Sequence, residues 1–566
     1  MRRLLFIVLC GVAVGCSDDA STSDSQSAAI STDGSIVSVD TTGDTAVGPD
    51  VAVAPDVTVV EPEPTGPLAW VYKRDPFTDA GELQEVELAA PVTSADGTLI
   101  GDYVQVVNCL NQPGGESLLG FGTFCKESNV AKPGADGTYL HITPPESTND
   151  PDDPFAEVMM FQHVNLIHHY FKNVHGLTSL DYPLQALVNV MLYIEGGFGG
   201  QPPGWNDFPN AAFVPEESFL GFGLPPRPGG AIVFGQAGYI DFAYDASVIY
   251  HEYTHAMVGT TRLNGELVDE WGLDNLPGAM NEGFADYFAA SMSGHPYIGT
   301  YGLATSGQHL LRNLAEPRVC PDDLKTEIHA DGKIIGSAMW TLRQELGQEM
   351  TDGIILRALQ SFSQTTNVDQ AANLIVDEAY LVNDEVGAVA EEAMDAHGLR
   401  ACVRANPWTD FNVITDYDKV PLAVGGTGSV PTASFPSGAP AYVQLYVDIP
   451  EDAQVVSMTW LAQAASQNPF GGGGGEAVPM KLAIRSGAPI EFDWTTGGQP
   501  VSDTVLSSKP VTGGWSGVLV DATCFTPGTR LYTTLLNPGN APNNVTQTKL
   551  QILTTPPNSS DVQSCD

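Results

Sequence analysis

His251-Glu252-Tyr253-Thr254-His255 constrains this chain more than any other stretch. Residues four apart share a helix face, so the spacing predicts a helix on which two imidazoles can meet one Zn²⁺. Glu252 then lies beside the metal, where a carboxylate can accept a proton from a water the metal activates. The flanks favour that reading over a solvated surface helix. Ala246-Ser247-Val248-Ile249-Tyr250 precedes the motif and Ala256-Met257-Val258 follows it. A helix apolar on both sides of its histidines is buried. Buried imidazoles need partners, and a metal is one.

A catalytic zinc takes three protein ligands and keeps a fourth position open. Met280-Asn281-Glu282-Gly283-Phe284-Ala285-Asp286-Tyr287-Phe288 offers the third, with 26 residues between His255 and Glu282. Glu282 and Asp286 are also four apart and share a helix face. Glu282 is the candidate ligand. Asp286, one turn on, can accept the second ring N–H of a ligating histidine and fix its tautomer. Phe284, Tyr287 and Phe288 predict a packed helix rather than an exposed acidic pair.

Together, "HEYTHAMVG" and "NEGFADYF" resemble the gluzincin metallopeptidases, the thermolysin and fungalysin families, with a spacing closer to the fungalysin type. The resemblance implies a zinc endopeptidase that hydrolyses peptide bonds, with His251, His255 and Glu282 on the metal and Glu252 as the base. It extends outward. "HHYFKNVHG", His168 to Gly176, resembles the long N-terminal helix of the family's catalytic domain. Ala156, Met160, Val164, Ile167 and Phe171 recur there at amphipathic-helix spacing. His163, His168, His169 and His175 are accordingly read as surface or packing residues, not ligands. "NAAFV", Asn210 to Val214, resembles the strand that pairs with an extended substrate, and implies that Asn210 binds substrate backbone. "LRNLAEP" implies that Arg312 holds a substrate carbonyl. "IHADGKIIGSAMW" implies that His329 donates a hydrogen bond to the oxyanion. Two departures stand out. Leu273 occupies the position, nine residues before Glu282, where thermolysin carries an assisting tyrosine. The acidic cluster of a paired calcium site has no counterpart after "NEGFADYF", so calcium is unsupported. Two rival readings stay open: a catalytically silent zinc-containing surface binding protein, and a zinc amidase or aminopeptidase.

The chain has 566 residues, room for two to four domains, and a net charge of −45. That charge argues against nucleic-acid binding and against electrostatic adhesion to anionic lipid. Arg2 and Arg3 followed by the apolar run Leu4 to Val14 predict a signal peptide. Ala13-Val14-Gly15-Cys16 resembles a lipobox and implies a lipid anchor on Cys16, hence an exported outer-membrane or cell-surface protein; Ala13 stands where a lipobox carries leucine, so ordinary secretion with extracellular release stays open. Residues 17–66 carry ten acidic residues, no basic one and no aromatic, and read as a disordered acidic tether. Six cysteines beyond Cys16 suit disulfides in an exported protein. Sequential pairing would join Cys109 to Cys125, Cys320 to Cys402 and Cys524 to Cys565, one of fifteen connectivities.

The expected architecture is α+β. After the signal peptide (1–16) and tether (17–66), a β-rich N-terminal subdomain spans 67–150 and the metallopeptidase domain spans 151–404. The resemblance makes this a two-lobed, thermolysin-like unit, β-rich first and mainly helical second. Residues 405–566 turn to alternating strands, with Val443, Leu445 and Val447 on one face and Met480, Leu482 and Ile484 on another. They predict a β-sandwich accessory domain. Its bland reading is a stabilising appendage; its functional reading is a polymer- or surface-binding module. Protein or peptide substrates are the expected partners, and no oligomeric state is implied.

Overall fold

The computed structural model describes residues 66–110, 122–123, 126–146, 152–194, 204–221, 226–237, 240–263, 267–302, 312–413, 422–425, 435, 438–464, 478–539, 543–555 and 561–564. Cys16 and the tether lie outside them. Both helices and sheets are present, so the chain is α+β. Eight α-helices are described: α1 (Pro154–His169), α2 (Glu216–Gly221), α3 (Ala246–Gly259), α4 (Leu276–Ser293), α5 (Ile328–Leu346), α6 (Gln348–Ser361), α7 (Val368–Tyr380) and α8 (Asp384–Ala396). Among the described residues, no helix is long and apolar enough to cross a membrane.

The first large sheet places strands Val104–Leu110, Leu184–Ile194 and Ala231–Ala237 side by side in parallel. Strand Val104–Leu110 precedes residue 150, so the β-rich N-terminal part shares this sheet with the segment that follows. Its Val104 and Val106 are fully buried, in one core with Phe155 and Met160 of α1 and Ile249 of α3. Strand Ala211–Val214 runs antiparallel to Ala231–Ala237.

Helix α1 begins where Asp153 accepts from the Phe155 N–H at 2.7 Å and Pro154 presets the first turn. The expected stripe is there: Ala156, Met160, Val164, Ile167 and Phe171 are at most 1 % exposed. The opposite face is buried too, which the amphipathic spacing does not predict. Its polar groups find tertiary partners. His163 Nδ1 lies 2.9 Å from Tyr250 Oη and Nε2 lies 3.0 Å from Tyr72 O, while His168 Nδ1 lies 2.8 Å from Tyr253 Oη. These histidines therefore pack against α3; they do not line the metal trio.

Glu157, also buried on α1, accepts from Asn108 Nδ2 at 2.9 Å and from the Val130 N–H at 2.8 Å. Burial pushes its carboxyl up to about 7, against those donors, which favour the ionised form. The folded chain thus binds this proton more tightly than the unfolded chain does. The stability gained is present in full below the ordinary glutamate value and is lost as pH rises through about 7. Between pH 5 and 8 the wild type should lose about 2 kcal/mol relative to Glu157→Gln in denaturant unfolding. Parallel curves for the two proteins would show that another group titrates.

Beyond α8 the chain forms a five-stranded sheet in the order Ala405–Pro407, Gln444–Asp448, Arg530–Leu536, Lys481–Ser486, Thr504–Ser507. A seven-stranded sheet is built around Asn543–Leu553, Val455–Ala464 and Ser516–Asp521. Side chains alternate across a strand. Leu482 and Ile484 enter the large core with Met458 and Trp460, whereas Ala483 joins a separate cluster with Leu273 and Phe492. The disulfide Cys320–Cys402 is formed as expected. Cys109 and Cys524 are disulfide-bonded as well; Cys125 and Cys565, their expected partners, lie outside the described residues.

Candidate metal centre and active site

Two helices and their caps build the site. Asp245 starts α3 by accepting from the Ser247 N–H at 3.0 Å and the Val248 N–H at 3.4 Å, an N-cap that also suits the helix dipole. One turn and a half later come His251, Glu252 and His255. Helix α4 follows after the hairpin Leu267–Asp269/Gly272–Asp274 and presents Asn281, Glu282 and Asp286.

His251 Nε2 and His255 Nε2 are 3.0 Å apart, and Glu282 Oε2 lies 3.3 Å from the first and 3.6 Å from the second. These three residues form a group able to hold a metal ion. Zinc bonds of about 2.0–2.1 Å in a tetrahedron put ligand atoms about 3.3 Å apart, so the trio fits zinc. Glu282 Oε2 is buried and no hydrogen bond satisfies it, which is what a metal-ligating oxygen requires. Burial opposes ionisation of Glu282, but the charges of His329 and His255 outweigh it and hold the carboxyl well below its usual range.

The outer nitrogens are anchored. His251 Nδ1 lies 2.8 Å from Asp286 Oδ1, and His255 Nδ1 lies 3.0 Å from Asn281 Oδ1. Each contact selects the tautomer that leaves Nε2 for the metal. Arg312 Nε donates to Asp286 Oδ2 at 2.6 Å, and its Nη2 lies 3.5 Å from His251 Nδ1. Burial raises the Asp286 pKa, but Arg312 and His251 outweigh it and set it at about 2. Arg312 thus stands beside the ligand shell as an ion pair with Asp286.

Glu252 is 6 % exposed, and its Oε2 accepts from the Phe213 N–H at 2.7 Å. The strand expected to receive substrate therefore touches the expected base. Asn210 precedes that strand; its carbonyl accepts from the Gly235 N–H at 2.9 Å. His329 opens α5, with Nε2 3.5 Å from Glu282 Oε2. Its approach depends on small residues. A Cβ on Gly283 would come within 2.8 Å of Gly332 O, so glycines at 283 and 332 let α4 and α5 close on each other. Glu327 serves twice: Oε2 accepts from the Ala330 N–H at 2.9 Å as the helix cap, and Oε1 lies 2.7 Å from His329 Nδ1.

Three contributors escaped the sequence reading: Asn281, Glu327 and the Phe213 N–H. Asn281 had a signal, since it adjoins Glu282 in the same helical segment. Glu327 had little, because glutamate is not a favoured N-cap.

Residues 232–353 match the family model described as fungalysin metallopeptidase (M36). The matched stretch holds His251, Glu252, His255, Glu282, Asp286, Arg312 and His329. It agrees with the thermolysin- and fungalysin-like resemblance and supports a zinc-dependent peptidase acting on proteins or peptides. No curated protein matches the chain.

Proposed function

We propose that the chain is an exported zinc endopeptidase, with a two-lobed catalytic unit and a C-terminal β-sandwich. The observation that carries this reading is the His251–His255–Glu282 trio with Glu252 on the same helix turn. His251, His255 and Glu282 would hold the zinc, which when bound would supply a Lewis acid for a water nucleophile near neutral pH. Glu252 takes the proton of the attacking water and returns it to the leaving amine. The Phe213 N–H orients that carboxylate. His329 directs Nε2–H toward the developing oxyanion while Glu327 accepts from Nδ1. Arg312, placed by Asp286, steadies a substrate carbonyl. An extended peptide lies along Ala211–Val214, with Asn210 at its end, in the manner of an added strand. Export rests on the basic residues Arg2 and Arg3 and the apolar run behind them, and surface anchoring on Cys16.

One purified sample tests the core of the reading. The expected result is one zinc per chain, hydrolysis of internal bonds in casein, loss of both on dialysis against a chelator, and recovery of both with zinc. Bound zinc without hydrolysis of any peptide would make the chain a silent binding protein. Release of single N-terminal residues would make it an aminopeptidase.

A further inference from the structure

The helices that carry the metal ligands are joined by the hairpin Leu267–Asp269/Gly272–Asp274, and residues beyond the last helix hold that hairpin. Arg404 is the centre of the grip, at 3 % exposure. Its Nη1 donates to Asp269 Oδ2 at 2.8 Å and its Nη2 to Asp269 Oδ1 at 2.9 Å, a two-pronged pairing that fixes orientation as well as distance. Nη2 also donates to Leu273 O at 3.2 Å, Nε donates to Tyr442 O at 3.2 Å, and Nη1 lies 3.0 Å from Asp274 Oδ2. Both prongs and the Nε–H of the guanidinium are thereby occupied.

The C-terminal sheets reinforce the hold. The Phe492 N–H donates to Glu270 O at 2.7 Å, and Trp494 Nε1 donates to Asp269 O at 3.0 Å. Leu273, fully buried, packs with Phe435, Tyr442, Ile490 and Phe492. Gly272 has φ +108°, and a Cβ there would meet Pro440 Cγ at 2.9 Å. The position that holds a tyrosine in thermolysin is thus turned toward the β-region in this chain.

Asp274 passes the grip to the site. Its Oδ1 accepts from the Leu276 N–H at 2.7 Å, in the first turn of α4. Glu282 follows six residues later, about 9 Å along the helix axis. A second tie runs the same way: Cys402 is bonded to Cys320, and Asn406 Nδ2 donates to Leu324 O at 3.0 Å, both in the segment that leads to His329. Ala405–Pro407 is itself a strand of the five-stranded sheet.

We propose that Arg404 is a positioning residue for the metal centre, through which the C-terminal β-region holds Glu282 in place against His251 and His255. This rests on the reading of those three residues as zinc ligands.

The test uses the full chain as wild type, Arg404→Met, Arg404→Lys and Val456→Ala, the last a fully buried control in strand Val455–Ala464. Zinc affinity is measured by competition with a chelator, beside Tm. Arg404→Met should weaken zinc binding by up to about tenfold, the lower end of the range for groups that hydrogen-bond a metal ligand directly, since Arg404 acts through Asp274 and the start of α4. Arg404→Lys, which keeps the charge and loses the two-pronged geometry, should fall between it and wild type. Val456→Ala should lower Tm and leave zinc affinity unchanged. Wild-type affinity in a folded Arg404→Met overturns the proposal; if that variant does not fold, wild-type affinity in Arg404→Lys overturns it. A wild type that holds no zinc overturns the ligand reading itself, and the proposal with it.

Discussion

Glu252→Gln should keep one zinc per chain and lower peptide hydrolysis by about 10³-fold or more. Glutamine preserves the volume of the side chain, and its carbonyl oxygen can still accept from the Phe213 N–H, so strand Ala211–Val214 stays where it is. What disappears is the basic oxygen. Glu252 is not among the three residues grouped around the candidate metal position, so its charge is not needed to hold the ion. Metal content and hydrolysis measured on one preparation separate the two effects. Full activity in this variant would sink the mechanism, and loss of zinc with it would make Glu252 a structural partner of the site.

Glu282→Ala should lose both. The carboxylate supplies the only anionic ligand of the trio, and its removal leaves His251 and His255 with half the donors of a four-coordinate site. Zinc per chain should fall from one to below about 0.1 after dialysis, and hydrolysis should fall to background, since metal affinity drops with each lost ligand. Added zinc should restore little. A variant that still carried a full equivalent of zinc would show that His329, whose Nε2 lies 3.5 Å from Glu282 Oε2, takes the vacated place. The two variants are therefore read together: zinc retained without activity for Glu252, neither retained for Glu282.

Much of the site could be read before any coordinates because its spacing is local. His251 and His255 meet on one face through helix geometry alone, and Glu282 and Asp286 do the same on the next helix. Asp286 contacting His251 while Glu282 faces both histidines follows from that register. The rest is not local. Asn281 acts on a ring nitrogen supplied by another helix, and only packing makes them meet; Glu327 and His329 are two residues apart, but only packing brings that pair to Glu282. The polar face of α1 shows the same limit. Gln162, His163 and His168 look like solvent-facing residues until Ala89, Tyr250 and Tyr253 supply their partners.

The contrast is sharpest at the two ends of α4. Residue order alone determined that this helix carries a carboxylate able to meet two imidazoles, because chemistry and periodicity are written in consecutive side chains. Tertiary structure alone decided what holds its start. Arg404 lies far along the chain, and neither its charge nor its neighbours point to Asp269 and Asp274. Burial of two carboxylates without a cation would be costly. That cation arrives only when the strand Ala405–Pro407 joins its sheet and folds back over the hairpin between the metal helices.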